Sequence, residues 1–292
     1  MKILLDLGAL IPAFRPAAGP PPRSIGAFFN WCLKGSWKML GFAAFVSAIA
    51  GTAEVVSAWI LGWVVDASLA SGASGFFSDH AWSLGLCVLF YLVARPLAFA
   101  ASSAANSIII GPNVMPLVLS RLHRWTLGQS ITFFDNDFAG RIAQKQMQAA
   151  RAVTDVVTET INTGAFALAS VVASVIYLVS IDVRIAVLLA VWLVIYVFLI
   201  RHFVPRVKKN SAARASARAM VSGQVVDTIT NIKTVKLFAH DAYEDRVALD
   251  AMEVFRQRSL EFGEISTWFR LALMTLAGVL PVLLIGATLM LW

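Results

Sequence analysis

An all-α fold, a polytopic membrane helical bundle with long helical extensions on its cytoplasmic side, is what this sequence predicts, and three observations predict it. The composition is 59% hydrophobic and only 14% charged, with mean hydropathy +0.75, too apolar for an ordinary soluble domain of 292 residues. Five apolar runs each reach the roughly twenty residues that a bilayer core requires. Two long stretches between them are too rich in cations to lie in lipid, yet they carry the spacing of helices.

The chain opens with MKILLDLGALIPAF, where Asp6 interrupts the apolar run and Pro12, Pro16 and Pro20 to Pro22 follow without a cleavage site. This predicts a mobile cytoplasmic leader. Ser24 to Lys38 mixes Phe28, Phe29 and Trp31 with Lys34 and Lys38, suited to a short elbow helix in the headgroup plane or to a plain cap of the first span. Residues 1–37 are thus leader and elbow, and 38–292 the membrane domain. Its spans are expected at about 39–65, 82–110, 160–181, 185–203 and 265–292, with long loops at 111–159 and 204–264. Asp66 to Ala81, including Gly72 to Gly75, reads as a short flexible outer loop with no Lys or Arg, and Asp182 to Arg184 as a tight turn. By contrast Met1 to Lys38 holds five cations, Gly111 to Glu159 five and Arg201 to Glu264 eleven. That bias puts the N-terminus and both long loops in the cytoplasm, and the expected location is a bacterial inner membrane, as an integral, multi-pass protein. With five spans, Trp292 is expected on the outer side, as in an interrupted protein.

Pro205 to Glu264 is the stretch around which the chain is organised. Val221, Val225, Ile229, Ile232 and Val235 recur at the three-and-four spacing of one helix face. Nearly sixty residues of helix would run on the order of 85 Å, so two antiparallel arms of roughly 40 Å are expected. The turn belongs at Thr228 to Thr234, where β-branched residues and Asn231 lower helix propensity.

Catalytic signatures are absent from the sequence: no phosphate loop, no nucleophile elbow, no zinc-protease motif, and His80, His123, His202 and His240 too scattered for a metal site. No catalytic residue and no metal ligand is assigned. The net charge of +7 is explained by topology rather than by nucleic-acid binding, and Cys32 and Cys87 read as packing residues rather than a disulfide. Two charges lie deep in apolar runs, Glu54 and Arg95. Counted from the expected outer loop, they are roughly 18 and 20 Å down their helices, which predicts an ion pair between the first two spans, either structural or lining a pathway.

At the loops a family resemblance becomes specific. FFDNDFAGRI, Phe133 to Ile142, resembles the first intracellular loop of exporter-type ATP-binding-cassette transporters, and GQVVDTITNIKTVKLFAHDAYE, Gly223 to Glu244, resembles the second. In the latter, Asp227, Ile232, Val235, Lys236 and Phe238 fall on the motif, and Arg95-Pro96 and Pro281 also look similar to family positions. The resemblance implies a half-transporter whose two copies pair as a homodimer, with six spans each and a nucleotide-binding domain after the sixth. Each long loop would end in a short coupling helix against a nucleotide-binding domain, the second reaching the partner subunit's. The sequence departs from that pattern by ending after five of the usual six spans and before any ATPase motif. No cofactor is expected in this chain; ATP and Mg are implied for the nucleotide-binding domain.

The residues agree with that implication. Phe133 and Phe134 form an aromatic knob suited to a groove, or pack on the chain's own arms; Gly140 allows the chain reversal and Asp135 is expected to cap the short helix. Thr230 and Asn231 would satisfy backbone groups at the second turn, Ile232 carries the motif, and Lys233 would meet an acidic rim of a partner or stay solvated. Pro112 and Pro116 should bend or break the arm leaving the second span. The resemblance implies ATP-driven export of an amphipathic or lipid-like compound. The alternatives are a non-transporting scaffold or regulatory fragment beside a complete half-transporter, and a secondary carrier or channel, which would need no long lever arms. The expected partners are membrane lipid, a second copy of the domain, nucleotide-binding domains and the substrate.

Overall fold

The computed structural model describes residues 7–135, 139–237 and 241–291, which are predominantly helical with no strand among them. Over the described residues, the five expected spans each coincide with one long apolar helix. The chain divides between Tyr177 and Leu178 into two compact units.

In the first unit, α1 is the elbow, Ile25–Leu33, and α2 runs from Trp37 to Asp79. The expected outer loop at 66–81 is therefore helix almost to its end. The physical reason lies at His80, where α2 stops: its Nε2 is 3.0 Å from Ser71 Oγ and its ring stands edge-on to Trp63, centroids 5.7 Å apart. Those contacts hold the last turns of a segment whose glycines alone would argue for coil.

The next helix, α3, spans Ala81–Leu127, and the prolines expected to break it do not. Pro116 sits within α-helix, and two π-helical turns take up Pro96 and Pro112. Phe90–Ala94 ends with the Arg95 N–H donating to the Phe90 carbonyl just before Pro96, and Ala105–Ile110 ends with the Gly111 N–H donating to Asn106 just before Pro112. Widening the turn moves each proline to where its missing N–H is not needed, and the Asn113 amide donates to the Ile109 carbonyl at 3.0 Å. Helix α4 is the short Ile131–Asp135; α5 begins as Ala139–Glu159, widens through Thr160–Ala165 and continues as Phe166–Ile181.

The core of this unit lies below the apolar spans, where leader, α1, the last third of α3 and the first half of α5 meet. Ile11, Leu33, Ile110, Val114, Leu117 and Val118 are all fully buried there. Each such side chain contributes roughly 1.5–3 kcal/mol relative to exposure. From Leu7 on, the leader is thus docked rather than mobile: Ile11 is core, Asn113 Nδ2 donates to the Gly8 carbonyl at 2.7 Å, and Trp31 Nε1 donates to Ala18 and Gly19 carbonyls at 3.2 Å.

Gly51 of α2 marks a close approach. A Cβ built there runs into the Phe166 carbonyl of α5, whereas one at Gly85 meets nothing within 4 Å. Gly51→Ala is therefore expected to destabilise by about 1–3 kcal/mol through overpacking, and Gly85→Ala to be neutral or slightly stabilising. Thermal unfolding followed by size-exclusion recovery checks the contrast; equal midpoints would refute it.

The second unit is built on α6, Val183–Thr230, and α8, Asp241–Leu291, joined through α7, Ile232–Leu237. Asp182, extended and just before α6, accepts from the Arg184 N–H at 2.6 Å and so starts the helix. The two long helices run antiparallel in constant register. Trp192 Nε1 donates to the Leu276 carbonyl at 2.7 Å, Phe203 stacks on Phe269 at 5.4 Å, and Arg214 lies 4.0 Å over the Phe262 ring. From Arg201 to Thr230, α6 extends roughly 43 Å beyond its apolar part, the length expected of one arm.

Candidate coupling turns and membrane polar ladder

The first turn ends the arms of α3 and α5. Gln146 Nε2 donates to Thr126 Oγ1 at 2.8 Å and holds the arms together just behind it. Phe133 stands edge-on to Trp125 of α3, centroids 6.2 Å apart, and Phe134 stands edge-on to Phe133 at 5.3 Å. The pair therefore divides its work: Phe133 packs against the chain's own arm, and Phe134, 40% exposed, is presented on top of it. Asp135 is the last residue of α4 rather than its cap; the place before the helix belongs to Ser130, whose carbonyl accepts from the Phe133 N–H at 3.0 Å. Gly140 is the second residue of α5. Asn136 to Phe138 of the first motif, and Phe238 of the second, lie outside the described residues.

The second turn breaks at Asn231, between α6 and α7. Thr230 Oγ1 donates to the Val226 carbonyl at 2.7 Å and Asn231 Nδ2 to Asp227 Oδ1 at 3.0 Å. Glu244 of α8 gathers the stem, accepting from Thr228 Oγ1 at 3.2 Å and Gln224 Nε2 at 3.4 Å. With Val235 buried beneath, Ile229, Ile232 and Lys233 are left exposed at the tip.

Between α2 and α3 the structure brings Glu54 and Arg95 together, Oε1 to Nη2 at 2.9 Å, with the guanidinium also 5.8 Å over the Phe99 ring. The pair is the middle rung of a polar ladder that the sequence reading missed. One rung is Ser47 Oγ to Ser102 Oγ at 3.0 Å; another is Ser57, which donates to Tyr91 at 3.0 Å while the Tyr91 hydroxyl donates to the Ser57 carbonyl at 2.8 Å. Seven residues up α2 from Ser47 to Glu54 match seven back along α3, and three more to Ser57 match four back to Tyr91, so an antiparallel pair of helices places all three rungs on one seam. The period was visible, since Ser47, Glu54 and Ser57 share a face at helical spacing. Because α2 continues past Asp66, depth is better counted from Lys38, which puts Glu54 about 24 Å up the helix rather than at mid-bilayer.

Arg121 was also missed. It is 2% exposed in the core beside the leader, and its guanidinium donates to four carbonyls: Arg15 at 3.1 Å, Trp31 at 2.7 Å, Cys32 at 2.8 Å and Lys34 at 2.8 Å. Three of these belong to the end of α1, where orphan carbonyls and the helix dipole favour a cation. The chain turns there at Gly35, whose φ of +92° suits glycine, and a Cβ at that position would meet the Arg15 guanidinium. The signal was Arg121 itself, standing on the face of Val114, Leu117 and Val118 where an apolar residue belongs.

A polytopic helical membrane domain with two turn-tipped arms defines the class. The profile of the family described as ABC transporter transmembrane region matches residues 40–292, and the chain belongs to that family. It is 29% identical over 249 residues to a protein of Haemophilus influenzae named as an uncharacterized ABC transporter ATP-binding protein, an overlap covering 82% of this chain and 39% of that relative. The chain thus spans well under half the length of that relative.

Proposed function

We propose that this chain is the translocation domain of an ATP-driven exporter that moves an amphipathic or lipid-like compound out of the cytoplasm. Two copies pair, and the two turns couple them to nucleotide-binding domains that hold ATP and Mg. The chain's own sequence carries no phosphate loop, so its part is mechanical: to receive a push at the turns and pass it along rigid arms into the membrane helices. Both turns then face the cytoplasm, in keeping with the cations of the arms.

The observation that carries this reading is the presentation of Phe134. A large exposed aromatic at a tight turn is costly to leave in water, and here Phe133 and Trp125 brace it from behind, so it suits a hydrophobic groove on a partner. Lys233 and Ile232 at the other tip offer a cation and an apolar side chain for the same kind of contact. The polar ladder gives the membrane part a seam whose charge pair can line the pathway.

In proteoliposomes holding the complete transporter, Phe134→Ala is expected to keep basal ATP hydrolysis and lose substrate-stimulated hydrolysis by roughly tenfold, the cost of about 1.4 kcal/mol at one contact. Phe134→Tyr should retain most of it. Unchanged stimulation and transport in Phe134→Ala would overturn the coupling role.

A further inference from the structure

The face of α6 that points away from α8 changes character along its length. Val187, Val191, Val194 and Phe198 come first, all more than half exposed. Arg201, His202, Arg206 and Lys209 follow on the same face, with Pro205 among them, and line an open groove together with Phe198. At 3.6 residues per turn, these positions fall within one stripe of roughly 140°. Trp192, Phe203 and Arg214, which hold α8, are centred roughly 140° away from that stripe.

The lengths of the two halves match one leaflet. Val187 to Phe198 covers about 16 Å, close to half of the roughly 30 Å hydrocarbon core. Arg201 lies about 27 Å from the start of α6 at Val183, at the level where that core ends. The cationic half extends about 12 Å further, through the headgroup zone, and long Arg and Lys side chains reach along it.

The charge of this face is unmatched along the helix that carries it. From Val183 to Val226 the sequence has no Asp or Glu and seven Lys or Arg. No ion pair among the described residues involves Arg201, Arg206 or Lys209; Arg206 Nη1 donates to the His202 carbonyl of its own helix, at 2.6 Å. Pro205, lacking an N–H, leaves the helix ladder one bond short at this level.

We propose that this face binds an anionic phospholipid, its acyl chain along Val187 to Phe198 and its phosphate against Arg201, Arg206 and Lys209. A free phosphate or an acidic peptide would use the cations and leave the apolar half without a partner. The phospholipid matches both halves and their order.

The test compares phosphatidylglycerol with phosphatidylcholine of the same acyl chains, bound to the purified full chain in neutral detergent and counted by native mass spectrometry. Phosphatidylglycerol is expected to be preferred by at least about tenfold at 50 mM salt, at roughly fivefold per cation near the headgroup, with the preference shrinking severalfold at 500 mM. Arg201→Gln with Arg206→Gln should bring the two lipids to parity, Arg201→Lys with Arg206→Lys should keep the preference, and Arg218→Gln with Arg246→Gln should leave it intact. Equal binding of the two lipids by the wild type would overturn the proposal, a result that needs no variant to fold. So would a preference that survives Arg201→Gln with Arg206→Gln, or one lost equally in the Arg218 and Arg246 pair. Displacement of phosphatidylglycerol by equimolar glycerol phosphate would assign the cations to a soluble anion instead and sink the lipid.

Discussion

Arg121→Ala should release the elbow and the leader from the membrane domain at a cost on the order of 3–5 kcal/mol, a large part of a typical domain's stability. The guanidinium is almost fully buried and satisfies carbonyls of Trp31, Cys32, Lys34 and Arg15 at once. Alanine would strip those carbonyls of their donors, at about 1–3 kcal/mol for each that stays unpaired. Lysine supplies a point charge with three donors and cannot span the same fork, so Arg121→Lys should recover only part of the loss. Cys32 reports the change. In the folded protein it is fully buried, and burial pushes its thiol up to about 12, with the nearby Arg121 charge pulling the other way. At pH 8 its thiolate is therefore scarce as well as shielded, and maleimide should label it slowly. In Arg121→Ala, labelling of Cys32 should rise at least tenfold, with a Cys87→Ser background removing the other thiol. Wild-type labelling rates in a variant that elutes as wild type would show that the clamp is dispensable.

How far the fold was legible follows the physics of each element. The spans were read correctly because a run of about twenty apolar residues has few other uses. The second turn was read because β-branched residues and Asn231 weaken the helix where it does break. The leader was misread because its partners, Asn113, Ser120, Arg121 and Arg124, stand about a hundred residues away, and proline-rich sequence gives no hint of them. The outer segment at 66–81 was misread because its Gly and Ser count says coil, while the His80 contacts that hold it are tertiary. Pro112 and Pro116 were expected to break a helix that instead widens by a π turn ahead of Pro112 and carries Pro116 within an α-helical stretch. Composition names the problem there, and only backbone geometry shows the solution. The candidate site divides the same way: Glu54 and Arg95 stood out as charges in apolar runs, while their serine and tyrosine neighbours, unremarkable one by one, acquire meaning only as rungs.

Reversing one member of the charge pair, Glu54→Arg or Arg95→Glu, should lower the yield of folded protein by roughly tenfold or more. Two like charges would then face each other across a gap that is now 2.9 Å, on a seam with few other groups to answer them. An unpaired charge at the bilayer centre costs about 2.5–3.5 kcal/mol on insertion scales, and somewhat less at Glu54's height of about 24 Å, where a side chain can reach toward the headgroups. The flanking rungs should keep α2 and α3 in register, so the double swap Glu54→Arg with Arg95→Glu should restore most of the yield. Restoration will be incomplete, since Arg95 also lies over Phe99 and a glutamate there forfeits the cation–ring attraction. Size-exclusion recovery after membrane extraction measures the folded fraction, and a double swap no better than either single reversal would show that the pair does not hold the seam. Transport measured on the folded double swap in the complete transporter then separates two roles. A structural rung tolerates exchanged partners and transports normally. A pair that lines the pathway presents its charges to the substrate from the wrong helices after the swap, so transport should fall while folding stays restored.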